Sequence, residues 1–522
     1  MTMDQQETAV VIGAGMGGLA SAIRLAAMGL SVTVVESASV PGGKARALPS
    51  AAGPVDTGPT VLTMRAEFDD LFALAGQRLD DHIRLVPQPI LARHWWTGSP
   101  TLDLFPQPEA NVESIGAFAG AREAAAFARF DRLAQGLLAA FNGPVMRAAK
   151  PDLAAIGRAA LRSPRLWPAL MPGVTLERLL RLHFRDPRLV QLFARYATYV
   201  GGRPAHSPGV LALIWRAEAA GVWAVEGGMH SLAAALGQLA ESMGVQFRYA
   251  TRARRIVRQS GRVTGVEIEG GTTLHCQYCV FNGDPGALVE GHLGDAAAAA
   301  LPAKAASPRS LSALVWAFAA RAQGVDLIHH NVFFSDDTRA EFGPIGRGLM
   351  PDKPTLYICA EDRGTAPKTG LERFEIILNA PSALLPHPDE EPQCRNRTFP
   401  RLKEFGLTFT PTPEPLALTT PARLAGLFPG SQGAIYGRSP EGLMAAFQRP
   451  GAATALPGLF LAGGGAHPGA GVPMAALSAR HAAEAIRQAR ISGSRSAPTA
   501  MPGGISTGSA TTEPARSRSS AS

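Results

Sequence analysis

Apolar and polar positions follow two different periods at the start of the chain. TAVVIGA at 8 to 14 is a β-branched run ending in glycine, LASAIRLAAMGL repeats its apolar residues at helical spacing and stops at Gly29, and SVTVVES is a second apolar run. Strand, turn, helix and strand in that order predict a βαβ unit of a parallel sheet. From about residue 90 to 215 the pattern is mostly helical, most clearly in REAAAFARFDRLAQGLLAAF. Gly227 and Gly228 open a further helix, MHSLAAALGQLAESMG. Behind it, VQFRYATRARRIVRQSGRVTGVEIEGG and TTLHCQYCVFNGDP read as strands joined by turns at Ser260-Gly261 and Gly270-Gly271.

Between 307 and 425, strand-like runs such as LYICAED and FEIILNAP alternate with Pro-rich loops. The stretch GLFLAGGGAHPGAGVPMAAL, 458 to 477, repeats the theme of strand, glycine turn and helix, with no acidic residue after it. Residues 450 to 479 carry no Asp, Glu, Lys or Arg, yet their density of Gly and Pro argues against a membrane-spanning helix, which must satisfy its own backbone. From 491 to 522 the composition is too poor in apolar residues to order itself, and a disordered tail is expected.

Composition narrows the class. The chain has 522 residues, 46% hydrophobic and 18% charged, with a formal net charge of +8. Such a balance could favour anionic lipid or nucleic acid by Coulomb attraction. No Lys/Arg block with interleaved aromatics is present, so nucleic acid is not an expected partner. The N-terminus lacks the basic start of a signal peptide, and a cytoplasmic location is expected. Cys276 and Cys279 form a lone CxxC inside an apolar run read as one strand. Positions three apart on a strand face opposite ways, so no shared metal is expected. Neither a Ser/His/Asp arrangement nor HExxH is found, which argues against hydrolysis.

The chemistry-bearing motif is VVIGAGMGGLA. Gly13, Gly15 and Gly18 stand in a GxGxxG turn between strand and helix, with Ala14 and Gly17 inside the same turn. Gly13 permits the tight turn, Gly15 lets backbone approach a pyrophosphate, and Gly18 brings helix and strand together. The helix N-terminus then offers free N–H groups to the phosphates. Glu36 ends the next strand, where a carboxylate accepts hydrogen bonds from ribose hydroxyls. FAD and NAD both satisfy this pattern.

The sequence directly after Glu36, ESASVPGGKARAL, places Gly42 and Gly43 before Lys44 and Arg46. Here the chain resembles the flavoprotein amine oxidase and carotenoid desaturase superfamily, whose second motif is a Gly-Gly-Arg or Gly-Gly-Lys turn beside the FAD pyrophosphate. DTGPTVLT at 56 to 63, FARYATYVGGRPAHSPGVLALI at 193 to 214, GVWAVEGGMHSLAAAL at 221 to 236 and HHNVFFSDD at 329 to 337 resemble bacterial carotenoid desaturases of the phytoene desaturase type. The resemblance implies an α/β fold with a discontinuous Rossmann-like FAD-binding domain, from 8–90, 215–300 and 450–490. An inserted mixed α/β substrate domain, 91–214 and 301–449, would face the membrane.

By the same resemblance, Gly43 and Lys44 lie at the pyrophosphate and Ala253 at the adenine. Gly464 and Gly465 would offer backbone to the flavin end, with a helix from near Val472, including Met474, directing its N–H groups at the ring. His467 and Glu226 are catalytic candidates, and Thr60, Arg203 and Trp223 are candidates for the substrate channel. AHPGAGVPMAALSAR resembles the hydroxycarotenoid 3,4-desaturases more than the phytoene desaturases. That implies FAD-dependent C-3,4 desaturation of an acyclic 1-hydroxy or 1-methoxy carotenoid such as hydroxyneurosporene, with oxygen or a quinone as acceptor. The competing expectations are a phytoene desaturase, an amine oxidase and a non-catalytic FAD-binding scaffold. A bilayer-resident substrate implies peripheral contact with the inner membrane, and RSPRLWPALMPGV in the region 115 to 175 is the candidate patch.

Overall fold

The computed structural model describes residues 6–365, 370–382, 390–442 and 444–495. The strand Thr8–Ile12 is the centre of a five-stranded sheet in the order Leu459–Leu461, Tyr278–Phe281, Thr8–Ile12, Ser31–Val35, Gln246–Arg248. Each neighbouring pair is parallel. Parallel sheets are covered on both faces, which is why these strands read as unbroken apolar runs. On one face lie the helices Met16–Ala27 and Met229–Ser242, packed through Leu19, Ile23, Leu232 and Leu236. On the other face Val10, Ile12 and Phe281 meet Ile256, Val263 and Val266 of a three-stranded antiparallel sheet. Each such fully buried side chain contributes roughly 1.5–3 kcal/mol.

TTLHCQYCVF is not one strand. Thr273–His275 belongs to the antiparallel sheet and Tyr278–Phe281 to the parallel one. Between them the Gln277 side chain accepts hydrogen bonds from the Thr8 backbone N–H and hydroxyl, at 2.7 and 2.8 Å. The apolar run therefore crosses between two sheets, and Cys276 and Cys279 share one buried cluster instead of facing opposite ways.

A second sheet is drawn from residues 92–104 and 312–419. Its order is Thr408–Thr410, Ser312–Gln323, Glu372–Ala380, Leu356–Ala360, His330–Phe333, Ala92–Trp95, Leu102–Leu104, and Leu418–Thr419 also pairs with Ser312–Gln323. Helices between Pro108 and Ala219 form their own core around Phe127, Phe130, Phe193 and Trp215.

Contacts group Met1–Ile486 into one unit and Arg487–Ser522 into another. The helix Val472–Arg495 runs past the start expected for a disordered tail. Extending an existing helix adds one hydrogen bond per residue without a new nucleus, so ISGSR stays helical despite its composition. Residues 496–522 of that expectation lie outside the described residues. Among the described residues, no helix is long and apolar enough to cross a membrane.

Candidate active site

Three glycine turns meet at the carboxyl end of the parallel sheet. Gly13 leaves the first strand at φ +98°, its N–H donating to the Val35 carbonyl at 2.8 Å. Gly15 caps the following helix without any side chain bonded there, so the first-turn N–H groups are left to a ligand. A Cβ on Gly18 would lie 1.9 Å from the Gly13 carbonyl oxygen, and one on Gly43 would lie 3.0 Å from the Gly15 Cα. At Gly17 a Cβ would stand 2.6 Å from the Gly463 nitrogen, which brings the C-terminal turn against the N-terminal one.

Asn282 fills the junction. It follows the strand Tyr278–Phe281, and its Nδ2 donates to the Gly13 carbonyl at 3.2 Å. Its side chain would also touch a Cβ on Gly15, Gly17 or Gly463. Sequence reasoning missed it, although its place at a parallel strand's end in FNGDP was the available signal.

The DTGPT segment ties this cradle to the second sheet. The Asp56 carboxylate accepts from the N–H groups of Met229 and His230, satisfying the N-terminus of the helix Met229–Ser242. Glu361 accepts from the Asp56 N–H at 2.8 Å and Glu375 from the Gly58 N–H at 2.7 Å. Burial, reinforced by Asp56, pushes the Glu361 carboxyl up to about 8. Glu375 is pushed well above the usual carboxylate range, again by burial first.

A cavity of about 1490 Å³ starts at these turns. Gly13, Gly15, Gly17, Glu36, Gly43, Lys44 and Ala253 line one part of it, joined by Gly464, Gly465, Val472 and Met474. Glu36 accepts from the N–H groups of Ala14 at 2.7 Å and Ala38 at 2.8 Å. Lys44 donates to the Ile435 carbonyl at 2.7 Å, and burial lowers its pKa. Arg449, another residue missed from sequence, lines the cavity and donates to the Gly464 carbonyl at 2.8 Å. Burial pushes its pKa down to about 10. Ala14 and Gly18 do not line the cavity; they shape the turn from behind.

The remainder of the cavity is walled mainly by apolar side chains, among them Leu138, Phe141, Ile156, Leu170, Ile214 and Phe447. Its volume exceeds the roughly 300–1,000 Å³ of ordinary small-molecule sites. Thr60 and Trp223 lie on this wall, and the Thr60 hydroxyl accepts from Tyr357 at 2.8 Å.

Three candidates are turned elsewhere. Arg203 forms a bidentate pair with Glu441, at 2.8 and 2.7 Å, away from the cavity lining. Glu226 is also absent from the lining, and its N–H donates to the Arg84 carbonyl. The His467 Nε2 donates to the carbonyls of Val145 and Ala148 at 2.9 and 3.0 Å, which spends the imidazole on holding backbone. Burial lowers its pKa further.

His329, His330 and Cys359 bring their side-chain ligand atoms within 4.8 Å of one another. The His329 Nδ1 is bonded to the Ala360 carbonyl and the His330 Nδ1 to the Tyr357 hydroxyl. Burial lowers both histidine pKa values and raises that of the thiol.

The glycine cradle, the uncapped helix N-terminus and Glu36 fit a dinucleotide, and a side chain at Gly15, Gly17 or Gly43 would press on Asn282, Gly463 or Gly15 and force the turns apart. The family model for flavin containing amine oxidoreductase matches residues 16–487. The chain belongs to this family. FAD is its cofactor, and it is a flavin-dependent oxidoreductase.

Within the family, the hydroxyneurosporene desaturase of Cereibacter sphaeroides is 63% identical over 478 residues, covering 91% of this chain and 97% of that one. The hydroxyneurosporene desaturase of Rhodobacter capsulatus is 60% identical, covering 94% and 100%. A zeta-carotene-forming phytoene desaturase of Myxococcus xanthus is 29% identical, covering 91% and 93%. Among solved structures, a CLA-producing fatty acid isomerase from P. acnes superposes with a TM-score of 0.55 at 13% identity, over 93% of this chain and 99% of that one, a likeness of fold alone. The chain therefore groups with carotenoid desaturases, on the hydroxyneurosporene side.

Proposed function

We propose that this protein introduces the C-3,4 double bond into an acyclic carotenoid that already carries a 1-hydroxy or 1-methoxy group. The observation that carries the reading is the continuity of one cavity from the glycine cradle into a long apolar channel. Bound FAD supplies the acceptor for the hydride removed from the polyene. Gly13, Gly15 and Gly17 with the uncapped helix would hold the pyrophosphate, Glu36 the ribose, Ala253 the adenine end, and Gly464, Gly465 and Val472 the flavin end. The apolar wall around Phe141, Ile214 and Trp223 aligns the chain and excludes water. Neither His467 nor Glu226 lines the cavity, so neither is the base that would receive the allylic proton, and the wall's own contribution is to orient the chain.

A water-insoluble substrate calls for peripheral membrane contact, and the segment 153–171 supports it. Leu153, Ile156, Ala160, Ala169 and Leu170 line the cavity. Leu153, Leu161, Trp167 and Met171 are exposed, Leu161 at 75%. With Arg158, Arg162 and Arg165 in the same stretch, it would bring the channel mouth to an anionic inner-membrane surface. A bound flavin would need an electron acceptor, oxygen or a quinone, to return to its oxidised form.

Expression in cells that accumulate phytoene, neurosporene or 1-hydroxylated carotenoids separately tests the reading. The expected result is a new conjugated double bond only in the 1-oxygenated pigment. Conversion of phytoene alone overturns it. Bleaching of bound FAD on anaerobic addition of substrate separates an enzyme from a scaffold.

A further inference from the structure

The channel wall carries one group of polar side chains that neither FAD nor an apolar chain requires. Arg195 and Tyr199, on the 3-10 turn Arg195–Val200, line the cavity with Glu218 from the helix Leu213–Ala219. The Arg195 Nη1 donates to the Tyr199 hydroxyl at 3.0 Å. That hydroxyl donates to one Glu218 oxygen at 2.5 Å, and the Tyr196 hydroxyl donates to the other at 2.8 Å. Both Glu218 oxygens are thus occupied, whereas the Arg195 Nε and Nη2 have no hydrogen-bond partner among the described residues.

Arg195 is 9% exposed, and its guanidinium lies over the rings of Tyr196 and Tyr199 at 5.5 and 5.0 Å. Burial opposes its charge, but Tyr199, Glu218 and Tyr196 outweigh burial and raise its pKa, so it remains a cation. A buried guanidinium with idle donors is a costly arrangement unless something accepts from it. The cluster has a surplus of donors, so the group that completes it is an acceptor oxygen.

The cluster shares its cavity with the cofactor end, where Thr60, whose hydroxyl accepts from Tyr357, lines the same space. Thr60 belongs to the DTGPT segment, where a Cβ on Gly58 would lie 2.0 Å from the Lys44 carbonyl oxygen. In a 1-hydroxy carotenoid a single methylene separates the oxygen-bearing carbon from the bond to be desaturated. Whatever holds that oxygen must therefore sit beside the reacting carbons.

We propose that Arg195, braced by Tyr199 and Glu218, donates a hydrogen bond to the C-1 oxygen of the substrate and so selects 1-oxygenated carotenoids over hydrocarbons. The inference rests on the proposed substrate class. Arginine only donates, so the site accepts a hydroxyl or a methyl ether and rejects a chain with neither.

The test uses FAD-loaded, full-length protein and three carotenoids of matched length, namely 1-hydroxyneurosporene, 1-methoxyneurosporene and neurosporene. The wild type should favour the first over the last by roughly 10- to 100-fold in kcat/KM, with the ether within about tenfold of the alcohol. The desaturated 1-hydroxy product, which is not turned over, should show the same preference in Kd over its 1-deoxy counterpart, read from the polyene absorption band. Arg195→Met should bring the alcohol-to-hydrocarbon ratio to within about threefold. Should that variant not accumulate, Arg195→Lys, which keeps the charge and loses the fork, should lower the ratio at least about threefold.

A wild type that binds and converts neurosporene as well as its 1-hydroxy derivative overturns the proposal. So does either variant retaining the full preference. A wild type that converts phytoene and no 1-oxygenated carotenoid instead overturns the substrate reading itself.

Discussion

At one end of the cavity the structure depends on side chains that are missing, and at the other on side chains that are large. Around the pyrophosphate cradle, backbone meets backbone at Gly17 and Gly463 and at Gly15 and Gly43. Along the channel, Phe127, Phe130, Phe193 and Trp215 pack ring against ring behind the wall. The first arrangement tolerates no added atom, because backbone cannot step aside. The second tolerates exchange of one apolar residue for another of similar volume. A cofactor of fixed shape is served by the first, a long hydrocarbon by the second.

The largest break in this contrast comes at the cradle. Gly17→Val would drive a branched side chain into the Gly463 backbone, and FAD affinity should fall by about 10³-fold or more. The FAD-to-protein absorbance ratio after purification checks it. Retained yellow colour at full stoichiometry would refute the contact between the turns. Asn282→Ala removes the amide that joins the first glycine turn to the C-terminal one and should weaken FAD binding by about tenfold, measured by titration of the apoprotein.

The same contrast explains what was legible in the sequence. The GxGxxG turn could be read because its requirement falls on residues at fixed spacing within one element. Asn282 could not, since its role depends on a strand more than 260 residues away pairing with Thr8–Ile12. FARYATYVGGRPAHSPGVLALI drew attention to Arg203, yet Arg195 in the same stretch is the one that lines the cavity. The 3-10 turn Arg195–Val200 ends at Gly201 with φ +77°, and the chain then swings Arg203 toward Glu441. The partners that decide, Glu441 and Glu218, lie outside any local window. The expectation of one strand through TTLHCQYCVF failed for a related reason: apolar periodicity does not record a change of sheet at Gln277.

Between the two ends, the buried carboxylates beneath DTGPT give a pH-dependent seam. Burial and Asp56 raise the Glu361 pKa to about 8 against the opposing Arg373 guanidinium 3.2 Å away, whereas the unfolded chain releases this proton in the ordinary carboxylate range. The folded state therefore binds more protons across that window. This contribution is complete below the unfolded pKa and is lost as pH rises through about 8. Glu361→Gln keeps a carbonyl acceptor for the Asp56 N–H and removes the titration. It should match the wild-type melting temperature near pH 5 and exceed it near pH 9. Parallel pH profiles for the two proteins would contradict the buried, protonated state.

The smallest expected effect probes the outer end of the channel, where the apolar wall becomes surface. Trp167 is 49% exposed and its indole donates to the Ala160 carbonyl, so one face holds the helix Leu153–Arg162 while the other is free for lipid. Trp167→Glu places a like charge toward anionic headgroups and removes an interfacial aromatic, and sedimentation with anionic liposomes should drop by several-fold. FAD content and turnover of detergent-dispersed substrate should not change, because Trp167 lines no part of the cavity. Leu182 is the matched control: it is 69% exposed but belongs to the helix Leu176–His183 and does not line the cavity. Leu182→Glu should leave liposome binding as it was, since exposure alone does not make a docking surface. Equal losses in the two variants would mean that general charge, and not the proposed channel mouth, governs liposome binding.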